Sequence, residues 1–579
     1  MTLSQQGPSH ADLSQVFDVL VIGGGITGVG VAREAAGRGL RTLLVDRGDF
    51  GGGTSAATTK YIHGGIRYLE QYDFKVVRES LRERRILALG APHLVRQTQF
   101  IMPAWRWSKP PRALIGAGVA LYDVLSYDRN RRAPDALRIP HPRWLSRKQL
   151  MRSVPWLDTD GLQGGFAYHD TLNMHPERLL LAYVKSAAAD GAVFLTHTEV
   201  TGFIQHSDRG NVVIDGVTAR DVLGGVGYTL RARVVVNAAG PWIDRVLQPL
   251  GRPLGVAVNR SKGVHVLTRP LGGPGRVDAA VFARAKSGKH VIVSPWMGGS
   301  FIGPTDTPLA DDSAPVVADN DDVSSILSTV NSTMNASEQA LTIDDVVGAT
   351  VGLRPLIRRG EQGDGGNTYS ASRRHELYHH LDRGVANLWS IGGGKWTTAR
   401  ATGEQMVDEL LRHELKGTTT RRFDSERSGT STTFAWAQDA APFLTGVASA
   451  GSALGLDAAT GEHLGRLYGT EYAAIIGLIG ATPSLAERIT TEHGCLDVLA
   501  QAVYAVTAEG ARTLSDVIDR RLVVGTLGPV SRSVIGRVAD TVGPLLGWDD
   551  TRCRNEADAE FARRSALELL WRDPVVSTG

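Results

Sequence analysis

The sequence predicts an α/β chain built on a parallel sheet and closed by an all-α C-terminal region. Three observations carry that expectation. Phe17–Ile22 is a short apolar run rich in Val and Ile, broken only by Asp18, as in a strand covered on both faces. It runs into Gly23, Gly24, Gly25 and Gly28, then a helix-like stretch to residue 38, then a second apolar run, 41–45, that ends in Asp46. From residue 436 onward the composition turns to Ala, Leu, Glu and Arg in amphipathic patterns between Gly and Pro breaks.

The first of these stretches has a chemistry. Gly23, Gly25 and Gly28 form G-x-G-x-x-G: Gly23 permits the tight turn, Gly25 has no Cβ to keep a pyrophosphate from the backbone, and Gly28 lets the helix pack against the strand. The small residues Gly30, Ala32, Ala35 and Ala36 suit a helix pressed on a sheet. Its N-terminus offers free N–H groups and positive dipole to an anion. Asp46 stands 23 residues after Gly23, where a ribose-binding carboxylate belongs. Strand, turn, helix, strand and acid together predict dinucleotide binding.

With 579 residues, two or three domains are expected, and 42% hydrophobic with 21% charged residues is ordinary for a globular protein. Two cysteines, Cys495 and Cys553, exclude a disulfide framework, and the scattered histidines lack metal-ligand spacing, so no metal is expected. No secretory signal or membrane-spanning run is expected. The net charge of +3 hides a basic region: residues 41–152 hold 21 Lys and Arg against 9 Asp and Glu. That points to an anionic partner, a phosphorylated substrate or anionic lipid. Nucleic acid is not expected, because these cations belong to no nucleic-acid-binding motif.

Further along, the Gly/Ser/Thr-rich residues 50–59 read as a loop able to wrap phosphates and ribose. Residues 60–70, KYIHGGIRYLE, place two glycines between a His and an Arg, as where backbone passes a flat ligand. Residues 74–89 read as a solvent-exposed amphipathic helix. Trp105 and Trp107 precede a thirteen-residue apolar stretch, 113–125, with two readings: a buried helix, or a segment dipping into one membrane leaflet. A helix is expected over 179–189 and strands over 193–196, 212–214, 264–267 and 291–294, with a weaker one over 281–283. Residues 329–340 and 343–347 read as helix and connection. Residues 234–236 should be central in the sheet, with the turn at Ala238, Ala239 and Gly240 facing the dinucleotide. Residues 388–400 repeat the strand–triple-glycine–helix order without a following acid, so this helix should point at another part of the cofactor and Lys395 should sit at its start.

Several strings are more specific. VIGGGITGVGVAREAAGRGL, TTKYIHGGIRYLE, APHLV at Ala91, AAGPW, KGVH, GLRPL and GGGKWTTAR follow one another in the order and spacing of the FAD-dependent, quinone-linked glycerol-3-phosphate dehydrogenases. YGTEY at Tyr468 and VYAVTAEGARTLSDVIDRR at 503–521 resemble that family's C-terminal cap. The resemblance covers nearly the whole chain. It departs at Trp396, where the family often has a smaller apolar residue, and at 168–178, which matches only loosely.

What the resemblance implies is a Rossmann-like FAD-binding domain of glutathione-reductase type, an interleaved D-amino-acid-oxidase-like substrate domain, and the all-α C-terminal domain. The corresponding boundaries are 1–90, 165–260 and 350–417 for the FAD domain, 91–164 and 261–349 for the substrate and membrane-facing domain, 418–435 for a linker, and 436–579 for the helical domain. It implies oxidation of sn-glycerol 3-phosphate to dihydroxyacetone phosphate, with electrons passing through FAD to a membrane quinone. The enzyme would be cytoplasmic and peripherally attached to the anionic inner face of the cell membrane; a homodimer is one assembly left open. FAD contacts are expected at Gly23, Gly25, Gly28, Asp46, Thr54, Ser55, His63, Gly64, Val200, Ala239, Gly240, Gly394, Lys395 and Thr397. The substrate phosphate is expected at Arg67, Tyr68, Arg354 and Lys395. For the proton the candidates are His265 and His63, or Arg354 orienting the hydroxyl while water takes the proton. Other functions weighed are an oxygen-using oxidase of the same family, an amine oxidase, which leaves three phosphate-suited cations unexplained, and a non-enzymatic FAD- or NAD-binding module.

Overall fold

The computed structural model describes residues 13–273, 279–309, 316–358, 374–418, 421–428 and 440–573. Of the expected linker, residues 419–420 and 429–435 lie outside the described residues. The chain is a mixed α/β fold with two sheets and a helical C-terminal region.

In the first sheet Phe17–Ile22 lies between Gly227–Asn237 and Thr42–Val45, both parallel to it, with Val19 opposite Val234 and Thr42. All six residues of the central strand are buried, which is why it reads as an apolar run broken only by Asp18. Val193–Leu195 extends the parallel set beyond Thr42–Val45, and Leu388–Gly393 extends it beyond Gly227–Asn237, with antiparallel His375–His379 at that edge. The helix Ile26–Gly37 packs on this sheet with Val29, Val31, Ala32, Ala35 and Ala36 fully buried.

The second sheet is mainly antiparallel. Val95–Trp105 pairs along its length with Leu162–Asn173, and Val258–Thr268 pairs with Val346–Ile357. Tyr61–Ile62 is added at one edge beside Thr171 and Leu172. The strand expected weakly at 281–283 is present as Ala279–Arg284. The helix expected at 329–340 lies earlier, at Asn320–Asn331, started by a capping box between Asp319 and Asp322.

Three expectations need correction. The expected domain boundaries at 164/165, 260/261 and 349/350 fall inside strands, Leu162–Asn173, Val258–Thr268 and Val346–Ile357, all of the second sheet. Turn and glycine signals mark chain direction but not the sheet a strand joins. The helix Phe74–Gly90 is largely buried rather than solvent-exposed. Its charges misled the reading because they are paired inside: Glu83 receives two hydrogen bonds from Arg400, each at 2.7 Å, and Arg84 donates to Asp170 at 2.7 Å. The helix after the second glycine run starts at Ala399, past a 3₁₀ turn at Trp396–Thr398, so Lys395 stands four residues before it.

The helix Arg112–Leu125 buries only Val119 and Tyr122; Leu114 is 60% and Val124 67% exposed. Among the described residues no helix is long and apolar enough to cross a membrane. The C-terminal helices from Ala441–Ser452 to Asp550–Arg572 share one core, and Trp571 at the far end joins the core of the second sheet.

Candidate cofactor and substrate site

The glycine turn has room for nothing but glycine at two points. A Cβ on Gly28 would stand 2.0 Å from the Gly23 carbonyl oxygen, and one on Gly23, whose φ is +113°, 2.7 Å from that of Ala238. The first contact presses the helix onto the turn; the second seats the turn at Ala238, Ala239 and Gly240 beside it. Asp46 is half-buried and accepts from the N–H groups of Gly24, at 2.5 Å, and Gly48, at 2.7 Å. Burial raises its pKa, opposed by those two hydrogen bonds. Ser55 Oγ accepts from Ile26 N–H at 2.9 Å, capping the helix, and Thr54 Oγ1 donates to Leu353 O at 2.6 Å, tying the loop to the second sheet. Val200 lies on Thr198–Asp208, whose first residue donates its N–H to Asp46 O at 2.7 Å. The open backbone around Gly240, φ +57°, and Gly394, φ +92°, completes a cradle that fits a dinucleotide.

A second cluster forms around His63. Its N–H donates to Thr397 Oγ1 at 3.4 Å, which joins the 63–65 and 395–397 segments. Lys395 Nζ lies 3.7 Å from the centre of the Tyr68 ring and donates to Ser80 Oγ at 3.1 Å. Gly65 makes this close approach possible: at φ +74°, a Cβ there would stand 2.3 Å from Tyr68 and 3.4 Å from Lys395 Nζ. Burial pushes the His63 pKa down to about 4; Asp170 opposes the shift, and Lys395, Arg67 and Arg84 add to it. Arg67 also helps depress His290. Tyr68 and Lys395, from segments more than 300 residues apart, therefore meet, and the Arg67 charge acts on the His63 ring.

His265 and Arg354 stand on the paired strands Val258–Thr268 and Val346–Ile357. The His265 ring stacks on Phe301, 4.8 Å between centroids, and neither ring nitrogen finds a hydrogen bond among the described residues. Burial, then the charges of Arg354 and Lys60, holds its pKa near 3, so the imidazole is neutral at ordinary pH. Arg354 lies over Gly263 and is already engaged: it donates to Thr305 O at 2.7 Å, Asp306 Oδ1 at 3.1 Å and Ser261 Oγ at 3.2 Å.

Sequence reasoning missed two groups beneath these. Lys60, buried at φ +61°, pairs with Glu177 at 3.3 Å and lies over Trp296. Asp170, 1% exposed, accepts from Tyr122 at 2.6 Å as well as from Arg84. Tyr122 touches the site itself, since a Cβ on Gly64 would stand 2.4 Å from its hydroxyl. A lysine at the end of a Thr-rich loop and an acid in the mixed strand Leu162–Asn173 look like surface residues until the fold covers them.

Comparison with known proteins accords with this geometry. Residues 18–409 match the family model described as FAD dependent oxidoreductase, and residues 393–553 the C-terminal domain of alpha-glycerophosphate oxidase. The chain is thus an FAD-dependent oxidoreductase, and FAD is its cofactor. A Synechocystis glycerol-3-phosphate dehydrogenase is 35% identical over 93% of this chain and 94% of its own length. The human mitochondrial glycerol-3-phosphate dehydrogenase is 30% identical over 95% of this chain and 73% of its own. The structure of the Bacillus halodurans glycerol-3-phosphate dehydrogenase complexed with FAD superposes with a TM-score of 0.73 at 27% identity, covering 98% of this chain and 97% of that one. The chain belongs to the FAD-dependent glycerol-3-phosphate dehydrogenase family.

Proposed function

We propose that the protein oxidises sn-glycerol 3-phosphate to dihydroxyacetone phosphate at FAD and passes the electrons to a membrane quinone. The observation that carries the substrate is Lys395 over the Tyr68 ring, with the charges of Lys395 and Arg67 both acting on His63, in a chain whose relatives are named for that substrate. A phosphate dianion out of water needs more than one cation. Arg67 would grip it with parallel N–H groups and Lys395 as a point charge. FAD, when bound, supplies the two-electron acceptor. It would be held by Gly23, Gly25, Asp46, Ala239, Gly240, Gly394 and Thr397.

His265 offers a neutral ring nitrogen to the substrate hydroxyl. Burial, then Arg354 beside it, keeps the imidazole neutral, so a ring nitrogen can accept the hydroxyl proton. Arg354, braced by Asp306 and Thr305, orients the oxygen and supports the charge that develops on it.

The exposed apolar face of Arg112–Leu125, set in the basic region, supports peripheral attachment to the anionic inner face of the membrane, where a quinone is reached. Oxygen is the alternative acceptor, favoured by the match of residues 393–553 to a domain of an oxidase. The deciding experiment adds glycerol 3-phosphate to the purified flavoprotein without air. Bleaching of the flavin's long-wavelength band is expected, and an unchanged band overturns the assignment. In air, rapid substrate-dependent peroxide without added quinone would select the oxidase.

A further inference from the structure

The C-terminal helices reach the cofactor loop through buried charge. Asp49 follows Asp46 by three residues, and its side chain and that of Arg521 are both 0% exposed. Arg521 Nη2 donates to Asp49 Oδ1 at 2.9 Å, while Arg521 Nη1 and Arg520 Nε both donate to Oδ2. Arg521 is itself aimed by the carbonyl oxygens of Glu509, at 3.0 Å, and Asp516, at 3.3 Å. A second path runs through His197, whose N–H donates to Gly48 O at 2.8 Å and whose Nε2 lies 2.8 Å from Asp516 Oδ2.

The loop held this way is the one that shapes the glycine turn. Gly51 N–H donates to Gly24 O at 3.0 Å, and Phe50, 3% exposed, lies so close that a Cβ on Gly24 would stand 3.3 Å from its ring. Gly48 and Gly24 both donate to Asp46. Removing the charge partner of a buried carboxylate leaves it unpaired, and that is relieved by opening the loop or by protonating the acid, either of which disturbs the hold on the loop.

We infer that Asp49, Arg520 and Arg521 are positioning residues that make the helical domain part of the cofactor site, holding the 46–51 loop so that Asp46 and the Gly24 turn are presented to FAD. Docking of the helical domain and FAD binding are then coupled, and the coupling is reciprocal. The inference rests on the reading of Asp46 as a cofactor contact.

The test uses full-length apoprotein titrated with FAD, reading Kd from flavin fluorescence, for wild type, Asp46→Ala, Asp49→Asn, Arg521→Lys and Arg572→Ala. Arg572 joins the helical domain to Val346 O, on the second sheet, and serves as a docking control. Asp49→Asn should raise Kd at least tenfold and Arg521→Lys by less, because it keeps the charge; Arg572→Ala should stay within twofold of wild type. In a protease time course FAD should slow cleavage within residues 440–573 of the wild type and not of Asp49→Asn. If Asp49→Asn does not fold, Arg521→Lys and the wild-type protease course still decide. A wild-type Kd in Asp49→Asn beside a weakened Asp46→Ala overturns the inference alone; a wild-type Kd in Asp46→Ala overturns the reading beneath it as well. An equal rise in Arg572→Ala, or no protection by FAD, also overturns it, reducing the contact to ordinary domain packing.

Discussion

The turn at residues 23–28 and the strand pair carrying His265 and Arg354 are built from different materials. The turn acts through its backbone. Its key residues are glycines, its helix starts at Ile26, directly after Gly25, and its acid arrives one strand later. The strand pair acts through side chains that are 89 residues apart in the chain and are brought together by antiparallel register, Ser261 opposite Arg354 and His265 opposite Thr350. A backbone site tolerates no new atoms; a side-chain site tolerates truncation and loses function in proportion to the groups removed. That difference is open to test.

The largest effect is expected at the turn. Gly28→Ala places a methyl 2.0 Å from a carbonyl oxygen that cannot retreat without breaking the turn. The purified variant should retain almost no flavin by its flavin-to-protein absorbance ratio. Wild-type occupancy would mean that the helix can slide on the strand and that the turn is not rigid.

On the side-chain part, Arg67→Ala and Arg354→Ala should keep FAD and lose kcat/KM on glycerol 3-phosphate. Loss of one charge-assisted contact costs roughly 1.5–3 kcal/mol, about ten- to a hundredfold. For Arg67→Ala the loss on glycerol, which has no phosphate, should be small; Arg354→Ala should lose on both substrates, since Arg354 attends the reacting oxygen. Equal fractional losses on both substrates in Arg67→Ala would assign that arginine to folding or to the flavin. A loss confined to glycerol 3-phosphate in Arg354→Ala would move Arg354, held by Asp306 and Thr305, from the hydroxyl to the phosphate.

A smaller effect is expected in the acid limb of stability. His265 is buried neutral with its pKa held near 3, against about 6.5 in the unfolded chain. The unfolded state therefore binds the extra proton as pH falls through 6.5, and folding loses stability from there down towards pH 3. At pH 5 the loss from this one group is at most about 2 kcal/mol. His265→Gln should show a shallower fall in Tm between pH 7 and pH 5 than the wild type. An identical slope would show that the imidazole is solvated or paired. His63, whose pKa is near 4, pushes in the same direction.

The smallest effect concerns the exposed helix. Leu114→Glu with Val124→Glu should weaken adsorption to anionic vesicles and leave activity on a water-soluble acceptor unchanged. Charge-driven adsorption of the wild type should also fall with salt, since exposed charges are screened within about 8 Å at physiological ionic strength. Indifference to vesicles at low salt would leave this apolar face without its proposed partner.

Much of the cofactor side was legible because its constraints are local. Glycine spacing, apolar runs and a terminal acid are consequences of fitting a strand, a turn and a helix within thirty residues, and composition alone marked the helical C-terminal region. Burial was less legible. The helix Phe74–Gly90 carries charges that look solvated until Arg400 and Asp170 arrive from distant segments to pair with them. Sheet membership was also hidden: Val346–Ile357, interrupted by Gly348, Gly352 and Pro355, carries no local signal that marks it as a strand or names its partner. Tyr122 reaches Asp170 and Gly64 from a helix whose other face is exposed, and Arg521 reaches Asp49 from 472 residues away. The sequence by itself determined which backbone can approach a dinucleotide, because absence of a Cβ is a property of one residue. Only the tertiary structure decided which charges are buried together, because the energy of a buried charge belongs to a pair, and long-range folding chooses the pair.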